Sequence, residues 1–131
     1  MSLDSIAQLL STTLYHKRFF PYYTFNLLGG IDSEGKGAVF SYDAIGSFEK
    51  TAYSASGSGQ AYVIPLLDNC IGLRNRLNTA EPIPAEEVVE LLKDAFLSAG
   101  ERDIYTGDEV EFHVIKAGQG TTVERFSLKA D

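Results

Sequence analysis

Apolar residues recur along the chain with two different periods, and the switches between them mark out the elements. Leu3, Ile6, Ala7, Leu10 and Leu14 fall at i, i+3, i+4, i+7 and i+11, so residues 2–16 are predicted to form an amphipathic helix. Ser2 is placed to cap it, and Asp4, Gln8, Ser11 and Thr12 form its polar side. Pro21 cannot continue a helix. After it, residues 23–31 are almost all apolar or aromatic, which predicts a strand buried on both faces. Asp32-Ser33-Glu34-Gly35 is a turn by composition, and residues 37–42 return as a strand. Asp43-Ala44-Ile45-Gly46 turns again, and residues 47–54 alternate, with Phe48, Lys50, Ala52 and Ser54 opposite Glu49, Thr51 and Tyr53.

The second half begins with Gly57-Ser58-Gly59 and a helical pattern over 58–70, with Pro65 expected to kink it. Residues 72–82 read as a polar connector. Val88, Leu91, Leu92, Ala95, Phe96 and Ala99 then form the stripe of a helix over 84–100, with Glu86 and Glu87 at its positive end. Val110, Phe112 and Val114 alternate with polar residues in a strand over 109–115. A turn at 116–120 leads to a last strand over 121–128. The order is helix, three strands, two helices, two strands, which is a segregated α+β pattern.

Composition narrows the function more than the fold. A chain of 131 residues fits one domain and can bury a core. A net charge of −7 argues against a general nucleic-acid binder. The single cysteine, Cys70, excludes an internal disulfide and a cysteine zinc site. His16 and His113 have no metal-ligand spacing to a partner, so no metal and no cofactor are expected. No apolar run approaches the ~20 residues of a membrane span.

Three stretches carry candidate chemistry. The Gly57-Ser58-Gly59 bend opens a helix and can bind an anion, hold a catalytic group, or make a tight corner. As a nucleotide-binding signature it is incomplete, because Tyr62 stands where a third glycine is needed and the preceding strand belongs to a meander. In Glu101-Arg102-Asp103-Ile104-Tyr105-Thr106-Gly107-Asp108, Asp103 and Thr106 can point into one pocket, with Arg102 placed to depress the Asp103 pKa. The same residues also suit a plain helix cap and turn. Lys17-Arg18-Phe19-Phe20-Pro21-Tyr22-Tyr23 suits either nucleic-acid stacking or a helix end followed by aromatic anchors in a core or subunit interface, and the acidic balance favours the second.

Taken together, these stretches resemble 20S proteasome beta subunits over essentially the whole chain. The resemblance is carried by the aromatic run at 17–23, Gly29-Gly30-Ile31-Asp32-Ser33-Glu34-Gly35-Lys36-Gly37-Ala38-Val39, Gly46-Ser47-Phe48-Glu49, the Gly-Ser-Gly-Gln bend, Leu66-Leu67-Asp68-Asn69, and the corner at 101–108. It implies a four-layer α/β/β/α sandwich of the N-terminal-nucleophile hydrolase type, here a single domain over 1–131. Active members attack with an N-terminal threonine whose amine is supported by residues matching Ser58, Asp103 and Thr106. Thr106 replaces the family's serine, and Asp108 stands where active members tend to have glycine. That threonine, the strands after it, the first long helix and the active-site lysine have no counterpart in the sequence. The expectation is therefore an N-terminally truncated chain, or one completed by a separate chain.

The member it most resembles is non-catalytic, so the resemblance implies no catalytic residue, with Ser58, Asp103 and Thr106 as vestigial pocket positions. It further implies a structural subunit in a stacked-ring hetero-oligomer with other alpha and beta subunits, serving ubiquitin- and ATP-dependent protein degradation in cytoplasm and nucleus. Phe19, Phe20, Tyr22, Tyr23, Arg74 and Arg76 are the candidate interface residues. The enzyme alternative is a threonine-type endopeptidase whose nucleophile lies outside these residues.

Overall fold

The computed structural model describes residues 1–73 and 82–128. Their order is α1 (Leu3–His16), β1 (Leu27–Ile31), β2 (Gly37–Tyr42), β3 (Phe48–Thr51), α2 (Gln60–Leu67), a π-helical segment (Asp68–Gly72), α3 (Ala85–Arg102), β4 (Glu109–Lys116) and β5 (Gly120–Ser127). Two antiparallel sheets with helices make this an α+β fold. The chain divides into two compact units, Met1–Ser56 with Ile115–Gly120, and Gly57–Val114 with Thr121–Asp131.

In the first unit β1, β2 and β3 form a meander in which Leu28 pairs with Phe40 and Tyr42 with Phe48. Alternate residues of β2, Ala38, Phe40 and Tyr42, are buried against Leu3, Ala7 and Leu14 of α1. The helix starts as its sequence predicts, with the Ser2 hydroxyl accepting from the Ser5 N–H at 3.2 Å. Two polar ties fix it to the sheet: the buried Tyr42 hydroxyl donates to the Ala7 carbonyl at 2.7 Å, and the Ser11 hydroxyl to the Gly46 carbonyl at 2.6 Å. Burial also pushes the Tyr42 phenol pKa up.

The two turns of the meander share one construction. Asp32 Oδ1 accepts from the Glu34 and Lys36 N–H groups, and Asp43 Oδ1 from those of Ile45 and Ser47. Each then closes on a glycine of positive φ, Gly35 at 80° and Gly46 at 93°, which is the Asx-turn chemistry that an Asp-x-x-Gly sequence offers.

The first strand is shorter than its composition predicts. It begins at Leu27, and Tyr23, with φ 54°, turns the chain away from an extended course. Tyr22, Tyr23, Phe25 and Leu27 are exposed, so the expectation of burial on both faces fails for this stretch. Aromatic β-propensity reports fit to a half-buried pleated surface, and residues 22–25 have no such surface. The third strand likewise ends at Thr51, well before residue 54.

In the second unit, Val63 and Leu67 of α2, Ala95 and Ala99 of α3, Phe112 of β4 and Leu128 are buried. Phe96 meets Phe112 edge to face at 6.5 Å. Pro65 lies inside α2, which passes into π-helical bonding at Asp68–Gly72. A proline removes one donor from the ladder.

Gly46 offers a test of how α1 sits on its sheet. A Cβ built there would lie 2.4 Å from the Ser11 carbonyl oxygen and 3.2 Å from the Leu14 Cβ, on a backbone that favours glycine. Gly46→Ala is expected to cost about 2 kcal/mol or more. Gly37→Ala, which meets open space, is expected to stay within about 0.5 kcal/mol. Thermal unfolding of the two variants measures the difference; equal melting temperatures would contradict this packing.

Candidate functional site

The Gly-Ser-Gly bend leads straight into α2. Gly57 has φ 127°, a conformation that favours glycine. Gly59 is the N-cap of α2, and its carbonyl accepts from the Tyr62 and Val63 N–H groups. At the other side of the site α3 ends at Arg102, and Asp103 caps it in an extended conformation, its N–H donating to the Ala99 carbonyl at 2.8 Å. Asp103 Oδ1 then accepts from the Tyr105 N–H at 3.1 Å, and the Thr106 N–H donates to the Asp103 carbonyl. That is the cap-and-turn reading of the corner realised in full.

The fold brings the bend and the corner together. The Ser58 hydroxyl donates to Asp103 Oδ2 at 2.7 Å, and the Thr106 hydroxyl donates to the same oxygen at 2.6 Å. Gly59 lies directly against these side chains. A Cβ at that position would lie 3.0 Å from Thr106 Oγ1, 3.3 Å from Asp103 Oδ2 and 3.5 Å from the Ala99 Cβ. A side chain at the second glycine of the bend would thus crowd this contact, a role the sequence alone does not assign. Its signal was the pairing of Gly-x-Gly with Asp-x-x-Thr.

The Thr106 hydroxyl, then the Ser58 hydroxyl, hold the Asp103 carboxyl below the usual carboxylate range. Partial burial opposes them, and the Tyr105 N–H adds to the lowering. Arg102 is not among the causes, so the expected arginine effect is replaced by hydroxyl donation. At the end of a helix, neighbours in sequence point in different directions.

Two chemical consequences follow from these bonds. A carboxylate whose pKa is lowered is a weaker base, and both hydroxyls keep their protons as donors to it. An ionised carboxylate bonded to Ser58 at 2.7 Å also disfavours an anion at the bend. With their protons committed to Asp103, the two hydroxyls offer only lone pairs to an approaching ligand. The arrangement therefore suits a hydrogen-bond donor such as an ammonium group. On the far side of the corner, Asp108 adopts φ 61°, a left-handed conformation easiest for glycine.

The other sequence-singled residues lie elsewhere. Phe19, Phe20, Tyr22 and Tyr23 are exposed in the first unit, and Arg74 and Arg76 lie outside the described residues. His113 meets Glu111 at 2.5 Å on β4, and Cys70 is a half-buried free thiol. Among the described residues no group of three or more His, Cys, Asp or Glu side chains is placed to hold a metal ion, and no helix is long and apolar enough to cross a membrane.

A family model described as "Proteasome subunit" matches residues 1–115. The whole chain is similar to proteins named proteasome subunit beta type-1. It is 54% identical to that of Oryza sativa subsp. japonica, 50% to that of Arabidopsis thaliana and 50% to that of Dictyostelium discoideum. The chain spans 61%, 60% and 56% of the length of these three relatives.

The depressed Asp103 pKa fixes the sign of a pH effect. The unfolded carboxyl titrates near about 3.9 and the folded one lower. The stabilisation is complete above the unfolded value and is lost as pH falls through the folded one. The melting temperature of the unsubstituted protein is expected to fall more steeply than that of Asp103→Asn as pH falls through and below the ordinary carboxylate range. Thr106→Val is expected to lower the melting temperature at neutral pH more than Ser58→Ala, because Thr106 is half-buried and Ser58 exposed. Parallel pH slopes for Asp103→Asn and the unsubstituted protein would contradict the assignment.

Proposed function

The chain belongs to the proteasome subunit family, and from that premise we propose that it acts as a non-catalytic, structural beta subunit of the 20S core particle. It would take one place in a beta ring, contact neighbouring alpha and beta subunits, and serve ubiquitin- and ATP-dependent proteolysis in cytoplasm and nucleus through assembly alone. The observation that carries this reading is the similarity to beta type-1 subunits along the whole chain. The four-layer sandwich of N-terminal-nucleophile hydrolases is the architecture proposed for the assembled subunit.

The Ser58–Asp103–Thr106 set supports a scaffolding role for the pocket. Both hydroxyls donate to a weakly basic carboxylate, so neither is activated as a nucleophile. In this reading the three side chains tie the bend to the end of α3.

One observation favours a second reading, a threonine-type endopeptidase with its nucleophile outside these residues. With their protons donated to Asp103, Ser58 and Thr106 keep lone pairs that suit the ammonium of an N-terminal threonine.

Two measurements separate the readings. Native mass measurement is expected to find the chain in a multi-ring particle; a free monomer of 14.3 kDa would contradict the subunit role. Within that particle a threonine-directed covalent inhibitor is expected to label other beta subunits and leave this one unlabelled. Labelling of this subunit would establish the enzyme reading instead.

A further inference from the structure

The segment joining α1 to β1 displays its side chains. Five of the seven residues at 19–25 are aromatic, and all five are exposed, Phe19 at 91%, Phe20 at 81% and Tyr23 at 79%. One exposed aromatic is ordinary, but a continuous run is the kind of surface that marks an interaction site. The display is built into the backbone. Tyr23 holds φ 54°, a conformation that costs a bulky residue free energy, and its ring gains little burial in return. The chain on either side is hydrogen-bonded: the Phe20 N–H donates to the Lys17 carbonyl at 3.1 Å, and the Ser56 hydroxyl to the Phe25 carbonyl at 2.7 Å.

The charge of this surface is opposite to that of the chain. Residues 5–31 contain Lys17, Arg18 and no carboxylate, in a protein of net charge −7. Both cations lie over the aromatic rings. Arg18 is 5.1 Å from the Phe19 ring centre and 5.9 Å from that of Tyr15, and Lys17 is 5.8 Å from that of Tyr22. Cations carried into an interface with aromatic anchors need carboxylate partners there, because a buried unpaired charge is costly.

We propose that residues 17–25 form a docking surface for a protein partner presenting an apolar pocket rimmed by carboxylates. This deepens the subunit reading and rests on it for the partner's identity, a neighbouring subunit of the ring. A symmetric contact with a second copy would set the Lys17 and Arg18 cations of the two surfaces against each other. Nucleic acid fits less well, because two cations on an acidic chain neutralise few phosphates.

The test places a photo-crosslinking phenylalanine analogue at Phe20 of the whole subunit in cells that assemble the particle. The expected product joins one other protein at a peptide containing apolar residues and at least two Asp or Glu. Lys17→Glu with Arg18→Glu is expected to lower the yield about tenfold or more, and replacing the partner's carboxylates by lysine is expected to restore it. A product with a second copy, with nucleic acid or with a peptide lacking carboxylates would overturn the proposal. So would the absence of any product, or a yield indifferent to charge reversal. Sedimentation of the same samples keeps the two readings apart. Particle-sized sedimentation without a cross-link overturns the docking surface alone. The expected cross-link on a species of monomer-plus-partner size supports the docking surface and overturns the ring assignment.

Discussion

The Asp103 carboxylate is the acceptor on which the candidate site depends. One of its oxygens receives the hydroxyls of Ser58 and Thr106, and the other receives the Tyr105 N–H. Three separate pieces of chain are thereby held at one point: the glycine bend before α2, the end of α3, and the corner leading to β4. The contact is tight at position 59, where a Cβ would press on Thr106 and Asp103 and touch Ala99. Charge weighs against an anion at the bend despite its glycines and its place at a helix start. The carboxylate already supplies the negative charge that a helix N-terminus favours.

Helix α1 and the meander show how far pattern alone carries. The stripe Leu3, Ala7, Leu14 and the alternation Ala38, Phe40, Tyr42 both follow from burial of one face, and each is readable without knowing the other. The two Asp-x-x-Gly turns were legible because their chemistry is local. An aspartate accepts from backbone N–H groups two and four residues on, and the glycine supplies positive φ. Residues 23–26 were misread for the converse reason. Their composition suits a strand, but whether a strand forms depends on neighbours that sequence periodicity does not reveal.

The candidate site was legible only in part. The pairing of Asp103 with Thr106, three residues apart, is within reach of a local reading. The bond from Ser58 crosses 45 residues, and only family resemblance placed that serine beside the other two. The role of Arg102 shows the limit of adjacency in sequence, because two hydroxyls rather than the neighbouring guanidinium lower the Asp103 pKa. The steric role of Gly59 is a property of the closed contact, and no count of glycines in the sequence would distinguish it from the conformational role of Gly57.

The ties between α1 and its sheet each span 35 residues, Ala7 to Tyr42 and Ser11 to Gly46. Between Ala7 and Tyr42 lies the Asp32–Gly35 turn, and Ser11 is tied to Gly46, the glycine that closes the second turn. The order in which this unit acquires structure is therefore shaped by loop closure. Short antiparallel pairings close small loops first, and each shortens the free chain that still separates the helix from its seat. By the time β2 has paired with β1 and β3, docking α1 requires only the residues between His16 and Leu27 to close. The cost of bringing the helix home is set by that connector, the same stretch that keeps its aromatic side chains in solvent.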